Sequence, residues 1–375
     1  MKKVTIYDIA AALGVSSASV HRALSNHSGV NPTRRKRIRQ AAEAMGYSPN
    51  LAARYLATKR NLVVGVITPR EIASFYDRVR AGIVEESEPF RMAGLQIQEF
   101  TFPRLGIEEV GAFEAALAAK VDGIIVVPGD QDQIAPLIRR ASRAGIPVLC
   151  LTNDCRSKEK LTTVSVDTAA CGALVGELLG RFLGPGRGRA KIAITTGDLA
   201  VADHAEKYEA FRKALRTLFP SFRLFPAIEN HDLEAEAYEK TLAFFSRHPD
   251  VSGLYVSTGN GAPVFRALHK AGLAGKVTVI ATNLFPELAS EMEAGYVAAA
   301  IYSRPYSQGR IAFRTMHEYL VENKVPPLRL SLDPILVTKS TLERTMSRMM
   351  SASARLGLNQ QAPQTRAVES VVDDY

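Results

Sequence analysis

The chain has 375 residues, of which 46% are hydrophobic and 23% are charged, and its formal net charge is +9. This composition is typical of a soluble globular protein with room for a small head and a large body. No apolar run of membrane-spanning length and no secretory signal pattern occur, so we expect a cytoplasmic protein rather than a membrane or secreted one. The three cysteines lack metal-ligand spacing, so we expect reduced thiols, no metal and no cofactor.

Two short helices are predicted at the start of the chain. Ile6, Ile9 and Leu13 recur at helical spacing after Thr5, a residue type that caps helices. Gly14 suits the left-handed turn that would precede a second helix starting near position 16. The pattern predicts a helix-turn-helix, although a helical hairpin that only covers a core fits it equally well.

The second helix would present a small, polar and basic face to its surroundings. Its inner side would carry Val15, Val20 and Leu24. The residues left facing outward are Ser17, Ala18, Ser19, His21 and Arg22. Such a face fits the major groove of DNA.

The excess positive charge is confined to the first sixty residues. This segment contains eleven lysines and arginines and two acidic residues, so its net charge of +9 equals that of the whole chain. A solvated basic surface explains any single basic run. Confinement of the whole excess to a helix-turn-helix segment favours attraction to phosphate, and double-stranded DNA is the expected partner.

A third helix and a short conditional helix follow. Asn31 and Pro32 combine a cap residue with a proline at the first helical position, and Ile38 lies on the apolar stripe of a helix that runs to about Met45. Residues 50–57 form a further helical pattern. About eight residues are too few to be helical alone in water, so we expect this segment to fold only against a partner.

The residues from Val4 to about Ala57 resemble the LacI/GalR family of bacterial transcription regulators. The motifs that carry the resemblance are Thr5-Ile-Tyr-Asp-Ile-Ala10, Gly14-Val-Ser16, Gly46-Tyr47, Pro49-Asn50 and Leu56-Ala57. The resemblance implies that the second helix reads the major groove. It also implies that a hinge helix enters the minor groove of a pseudo-palindromic operator in a homodimer, with Leu56 as the wedge that opens a base step.

The resemblance also supplies a set of DNA-contacting residues. They are Thr5, Tyr7, Ser16, Ser17, Ala18, Ser19, His21, Arg22, Tyr47, Asn50, Ala53 and Leu56. Of these, Ser17, Ala18 and Arg22 are the candidates for reading bases. The chain departs from the family pattern at His21, where serine is usual, and at Ser19, where threonine is usual.

The body alternates predicted strands and helices. Strands are predicted at 62–67, 95–100, 123–127 and 147–151, and again at 191–195, 222–225, 253–256 and 277–281. Helices are predicted near 75–92, 107–119, 131–144, 168–183, 204–218, 233–247, 261–271 and 286–294. Continuous apolar strands between helices indicate doubly wound parallel sheets, and the repeat indicates two similar lobes.

The fold class expected is therefore an all-α helix-turn-helix head followed by two parallel α/β lobes. In line with the family resemblance, the body resembles the periplasmic-binding-protein fold. That resemblance implies three crossings between the lobes, with residues near 296–323 returning to the first lobe and those near 333–340 to the second. We expect a head at 1–48, a hinge at 49–60, an effector-binding and dimerisation body at 61–340, and a partly disordered tail at 341–375.

Polar residues beyond the strand ends are the effector-site candidates, because ligands bind at the carboxyl ends of parallel strands. They are Ser74, Phe75, Asp77, Asp154, Asp203, Lys207, Asn260, Asn283 and Arg304. These positions resemble a family site in which carboxylates and amides bind sugar hydroxyls and aromatic rings stack on the sugar. For each residue the alternative is a loop-tip side chain that caps a helix. Arg304 stands where sugar-binding relatives have an acid, which favours an acidic or phosphorylated ligand.

These features predict a sequence-specific DNA-binding transcription repressor controlled by a small sugar-like ligand between two lobes. The ligand classes expected are a sugar, a polyol, a sugar acid or a sugar phosphate. The alternatives are a solute-binding protein and a sugar-phosphate enzyme that carries a regulatory head. The sequence lacks a nucleophile elbow and a phosphate loop, so we expect no enzyme.

Overall fold

The computed structural model describes residues 4–24, 31–45, 61–92, 94–184 and 189–354. The predicted hinge at 49–60, with Asn50, Ala53 and Leu56, lies outside these ranges, as does Tyr47. The side chain of His21 is likewise not described. None of the helices within the described ranges combines the length and the apolar character that a membrane span needs.

The head consists of α1 (Ile6–Leu13), α2 (Ser17–Leu24) and α3 (Pro32–Ala44). Thr5 and Asp8 form a capping box at the start of α1, and Gly14 ends the helix with φ 63°. Ile9, Val20 and Ile38, one from each helix, are buried in a common apolar core. The predicted helix-turn-helix is confirmed.

The strands of the body form two sheets. In chain order they are β1 (Leu62–Pro69), β2 (Leu95–Phe102), β3 (Gly123–Val126), β4 (Val148–Leu151), β5 (Thr162–Val166), β6 (Lys191–Thr196), β7 (Arg223–Leu224), β8 (Ile228–Glu229), β9 (Gly253–Val256), β10 (Thr278–Thr282), β11 (Ala299–Tyr302), β12 (Arg329–Leu332) and β13 (Ile335–Val337). The first sheet has the order β12-β5-β4-β3-β1-β2, and its neighbouring strands are all parallel. The second has the order β13-β11-β10-β9-β6-β7, with β8 also paired to β6 and β13 antiparallel to β11.

Helices cover both sheets. They are α4 (Ala73–Arg91), α5 (Glu109–Ala118), α6 (Gln131–Arg143), α7 (Thr168–Leu183), α8 (Ala202–Leu218), α9 (Glu234–Arg247), α10 (Ala262–Lys270), α11 (Pro286–Glu293), α12 (Pro305–Glu322) and α13 (Lys339–Ala354). Central strands such as β3, β4 and β9 are buried along their whole length because helices pack on both faces. The predicted pair of doubly wound α/β lobes is confirmed.

The chain crosses between the lobes three times, at residue 167, at 303–304 and at 333–334. The prediction that residues near 296–323 return to the first lobe places the start of the return too early. Residues 299–302 form β11, which pairs with β10 and β13 in the second sheet. The return therefore begins at Ser303, after a fully buried strand.

In each lobe, a pair of helices crosses at very close range. A Cβ added to Gly82 of α4 would lie 2.1 Å from the carbonyl oxygen of Tyr306 on α12. In the second lobe, a Cβ on Gly172 of α7 would lie 2.1 Å from the carbonyl oxygen of Lys207 on α8. Glycine at these positions allows the backbones to touch, which fixes α8 and the side chains that it carries.

The body extends past the predicted boundary at residue 340. Helix α13 buries Leu342 and Met349 in the core of the second lobe. Arg78 of α4 donates from Nη1 to the carbonyl oxygen of Met349 at 3.2 Å, so the same helix also contacts the first lobe. The boundary at 340 is corrected to beyond Met349, because the apolar stripe of α13 packs on the second sheet.

Candidate functional site

The predicted outward face of the helix-turn-helix is exposed in part, since Ser17 and Ser19 are half-buried. Ser16 caps α2, since its Oγ accepts the N–H of Ser19 at 3.2 Å. Ala18 and Arg22 are exposed one turn apart on α2, and Tyr7 on α1 is 70% exposed. Val20 is fully buried on the opposite side. The arrangement leaves a polar and basic ridge of the size that enters a major groove.

Helix α3 adds positive charge beside this ridge. Its side chains at Arg34, Lys36, Arg37 and Arg39 are exposed, whereas Ile38 is buried against α1 and α2. Exposed guanidinium and ammonium groups attract phosphate and release counterions, which makes binding dependent on salt. Both α2 and α3 thus present exposed basic groups that suit a nucleic-acid backbone.

A cleft between the two lobes contains two connected spaces. The inner one, here called the chamber, has a volume of about 60 Å³ and lies between the strand ends of the lobes. The outer one, here called the vestibule, has a volume of about 660 Å³ and opens to solvent. Leu105 and Asp232 border both. The chamber is smaller than a cavity of roughly 150 Å³ that can hold benzene.

A buried ion pair forms one wall of the chamber. Nζ of Lys207 lies 3.0 Å from a carboxylate oxygen of Asp203, one turn earlier on α8, and donates to the carbonyl oxygen of Ser257 at 3.1 Å. Lys207 is 5% exposed. Burial lowers the pKa of Lys207, but the carboxylate of Asp203 and the hydroxyl of Tyr255 outweigh it, so the pKa stands above its usual value. The ammonium group of Lys207 is therefore charged at neutral pH.

Several polar atoms in the chamber are buried without a hydrogen-bond partner among the described residues. They are Oγ of Ser257, Oε1 of Gln308 and Oδ1 of Asp232. Ser257 and Gln308 are each 1% exposed and belong to different lobes. A buried polar group without a partner destabilises a protein by roughly 1 to 3 kcal/mol. Hydroxyl groups of a ligand would satisfy such atoms from both lobes.

The chamber is connected to the second crossing between the lobes. Ser303 donates from both its N–H and its hydroxyl to Oδ1 of Asn283. Nε2 of Gln308 donates to the carbonyl oxygen of Ser303 at 2.6 Å. Asn283, Ser303 and Gln308 all line the chamber. A ligand that contacts Gln308 therefore lies beside the second crossing between the lobes.

The structure brings together four of the predicted effector residues: Phe75, Asp203, Lys207 and Asn283. Phe75 packs its ring edge-on against Tyr76, with ring centroids 4.9 Å apart. The ring, the ion pair and the amide thus surround the same small space. The rule that polar side chains follow strand ends thus leads to four residues that line the chamber.

Three other predicted effector residues take part in local structure outside the cleft. Asp77 is exposed and pairs with Arg80 three residues later on α4. Asp154 pairs with Lys160 at 2.6 Å and accepts Oγ1–H of Thr163, so it stabilises the turn after β4. Ser74 is exposed in the first turn of α4. None of the three is among the residues that line the chamber or the vestibule.

Asn260 and Arg304 also lie outside the residues that line the chamber and the vestibule. Arg304 is the N-cap of α12 in a left-handed conformation, with φ 57°. This bend brings Ser303 and Gln308, on either side of Arg304, to the chamber. The prediction of an anionic ligand rested on Arg304 and loses its support.

Sequence reasoning missed Ser257, Gln308 and Asp232. Ser257 directly follows β9, so the strand-end rule could have found it. Gln308 is a polar residue on the buried face of α12, beside Gly309 and Ala312, which is an uncommon pattern. Asp232 follows a strand of only two residues, β8, and no local pattern indicates it.

The vestibule contains a carboxyl group with an unusual pKa. The pKa of Glu71 is raised to about 7, chiefly by burial. The N–H of Leu105, which donates to Glu71 at 2.9 Å, opposes this rise, and the charge of Asp232 adds to it. Glu71 belongs to the first lobe and Asp232 to the second. Two carboxylates therefore face one space across the cleft.

The raised pKa of Glu71 predicts a dependence of stability on pH. Its protonated form is favoured in the folded protein, so this contribution is full below about pH 4.5 and is lost as pH rises to about 7. We expect the stability gained by Glu71→Gln over the unmodified chain to grow by about 2 to 3 kcal/mol between pH 5 and pH 8. Thermal melting across this range is the measurement, with Glu88→Gln, an exposed carboxylate on α4, as the control. A gain that does not change with pH would contradict the assignment.

Two family models match the chain, one over each part. Residues 5–50 match the model of the bacterial regulatory proteins of the LacI family. Residues 64–324 match the model of the periplasmic binding protein domain. Residues 51–63 separate the two matches.

Curated relatives and solved structures agree with this division. The chain is 29% identical over 214 residues to catabolite control protein A of Priestia megaterium, covering 56% of this chain and 61% of the relative. It is 30% identical over 165 residues to catabolite control protein A of Staphylococcus epidermidis, covering 44% and 48%. The matches thus span about half the length of these relatives.

The body also superposes on GanP, a glucose-galactose binding protein from Geobacillus stearothermophilus. The TM-score is 0.68 at 24% identity, over 75% of this chain and 99% of that one. For a periplasmic ribose ABC transporter structure from Conexibacter woesei the TM-score is 0.65 at 26% identity, over 76% and 95%. The chain therefore belongs to the periplasmic binding protein domain family, with a LacI-family domain at its N-terminus.

Proposed function

We propose that this protein is a DNA-binding transcription repressor whose operator affinity is controlled by a small polyhydroxyl ligand held between its lobes. The observation that carries the proposal is the combination of two parts in one chain. An exposed, basic helix-turn-helix lies before a two-lobed body with a polar cleft. We infer no enzymatic activity and no cofactor.

The chemistry of the chamber supports a sugar-like ligand. Ser257 and Gln308 offer buried oxygens from opposite lobes, and Asn283 and Asp203 add an amide and a carboxylate. Hydroxyl groups both donate and accept hydrogen bonds, so vicinal hydroxyls match such a set. Phe75 offers an apolar ring beside them. Contacts from both lobes would favour closure around the ligand.

Closure of the lobes would couple ligand binding to DNA binding. Strand β1 begins at Leu62, directly after the predicted hinge at 49–60. In a homodimer, rotation of the lobes would change the spacing between the two hinge starts. A hinge of about eight helical residues is marginal on its own, so its folding in the minor groove would respond to that spacing. Leu56 would then insert at the central base step.

A solute-binding protein is the alternative that the body alone would favour. The neighbours named above include a glucose-galactose binding protein with the same two-lobed fold. That alternative explains the cleft but leaves residues 5–50 and their concentrated positive charge without a role. We therefore prefer the regulator.

The experiment that tests DNA binding uses a duplex selected from a random pool by the unmodified protein. We expect Arg22→Ala to raise the Kd for this duplex about tenfold or more, because a base contact contributes roughly 1 to 3 kcal/mol. Arg181→Ala serves as the matched control, since Arg181 is an exposed arginine on α7, far along the chain from the head. Fluorescence anisotropy at several salt concentrations gives both values. Equal affinity of the Arg22 variant would contradict the proposed reading helix.

A further inference from the structure

The cleft carries an excess of negative charge. Among the residues that the structure describes, seven acidic ones line the chamber and the vestibule, against three lysines and arginines, Arg104, Arg156 and Lys207. A narrow cleft lined mainly by one sign of charge concentrates its field. A ligand entering through the vestibule therefore meets a negative potential.

Two of the three basic groups are already engaged. Lys207 pairs with Asp203 at 3.0 Å and donates to the Ser257 carbonyl at 3.1 Å. Arg104, in the first lobe, donates to the carbonyl oxygen of His231 in the second lobe at 3.4 Å. The third, Arg156, is exposed at the rim. An anion that displaced Asp203 from Lys207 would leave a buried carboxylate unpaired, which is strongly unfavourable.

Asp232 adds a carboxylate oxygen that lacks a hydrogen-bond donor among the described residues. Its Oδ1 is buried and has no hydrogen-bond partner within the described part of the chain. A Cβ added to Gly197 would lie 2.2 Å from Oδ2 of Asp232. The absence of a side chain at Gly197 therefore makes room for the carboxylate. Asp232 borders both the chamber and the vestibule. Burial is the main cause of the raised pKa of Glu71, and the charge of Asp232 adds to it.

We propose that the cleft selects an uncharged or amine-bearing polyhydroxyl ligand over sugar acids and sugar phosphates, and that Asp232 determines this selection. The proposal deepens the proposed function and rests on it. A ligand hydroxyl or ammonium group donates to Oδ1 of Asp232. Ser257 and Gln308, both buried with an unpartnered oxygen, bind further hydroxyls from either lobe. A phosphate or carboxylate in the same place faces the carboxylate of Asp232, while Lys207 is paired with Asp203 and Arg156 lies at the rim.

Calorimetry on the full chain tests the selection with matched compounds. The neutral probes are D-glucose, D-galactose, D-ribose and myo-inositol, and D-glucosamine is the amine. The anionic probes are glucose 6-phosphate, ribose 5-phosphate and galacturonate. We expect at least one neutral or amine-bearing probe to bind with a Kd about tenfold or more below that of its anionic derivative. Tighter binding of an anionic derivative would overturn the proposal and leave the ligand-controlled regulator standing.

The absence of binding by every probe, with DNA binding retained, would overturn the sugar-like ligand of the proposed function and this inference with it. Asp232→Asn then locates the selection, because the amide keeps the shape and removes the charge. We expect the ratio of anionic to neutral Kd to fall at least about fivefold in this variant. Asp77→Asn, an exposed carboxylate on α4, is the control and should keep the ratio. An unchanged ratio in Asp232→Asn would rule out Asp232 as the determinant.

Discussion

Lys207→Met is expected to lower the free energy of unfolding by about 3 to 5 kcal/mol. Lys207 is 5% exposed, and its removal leaves the carboxylate of Asp203 facing the chamber without its cation. It also removes the donor to the carbonyl oxygen of Ser257. Chemical denaturation followed by circular dichroism measures the loss, and calorimetry with the neutral probes measures the accompanying loss of ligand binding.

The chain provides a matched control for this substitution. Lys240 pairs with Glu236 four residues earlier, as Lys207 does with Asp203, but Lys240 is 43% exposed. We expect Lys240→Met to change stability by less than about 1 kcal/mol, since exposed pairs contribute little. The double variant Asp203→Asn/Lys207→Met should recover much of the loss, because no buried charge remains unpaired. Equal effects at Lys207 and Lys240 would show that burial of the pair is unimportant.

Gly172→Ala is expected to destabilise the second lobe by about 3 kcal/mol. The new Cβ would lie 2.1 Å from the backbone oxygen of Lys207, and backbone cannot move as a flexible side chain does. Helices α7 and α8 must separate, which shifts Lys207 and Asp203 relative to Ser257. Denaturation measures the stability, and calorimetry with the neutral probes should show weaker binding in the same variant.

Gly111→Ala distinguishes packing from the intrinsic preference of helices for alanine. Gly111 lies in α5, and a Cβ there would meet no atom within 4 Å. We expect this control to be neutral or to stabilise by about 0.5 to 1 kcal/mol. A loss at Gly111 as large as that at Gly172 would contradict the close crossing of α7 and α8.

The helices of the body were predicted well because their ends carry local patterns. Asp167 caps α7 and Gly184 ends it, and the predicted bounds of 168–183 match the structure. Asp130 caps α6 in the same way. Capping and periodicity act within a few residues, so they can be recognised without knowledge of the fold.

The strands that were missed depend on distant partners. The segment Thr162–Val166, β5, has three hydroxyl residues among its five, yet all five residues are buried between β4 and β12. The segment Arg329–Leu332, β12, reaches that sheet only by pairing with β5, more than 160 positions earlier. No local pattern encodes such pairing, so the edge of the first sheet could not be predicted from the sequence.

The candidate ligand site was predicted to within a residue or two rather than residue by residue. After β4, the structure places Asn153 in the chamber and turns Asp154 toward Lys160. After β11, it places Ser303 in the chamber and puts Arg304 in the left-handed helix cap. Strand ends locate the site, whereas the dihedral angles of the loop decide which neighbouring side chain faces it.

Coupling between ligand and operator is the central claim, and one anisotropy titration tests it most directly. The selected duplex is titrated with the full chain, without ligand and with a saturating neutral probe identified by calorimetry. We expect the operator Kd to change at least about fivefold, and the ligand Kd to change by the same factor when operator is saturating. An unchanged operator Kd, with the ligand bound, would contradict control of DNA binding by the cleft.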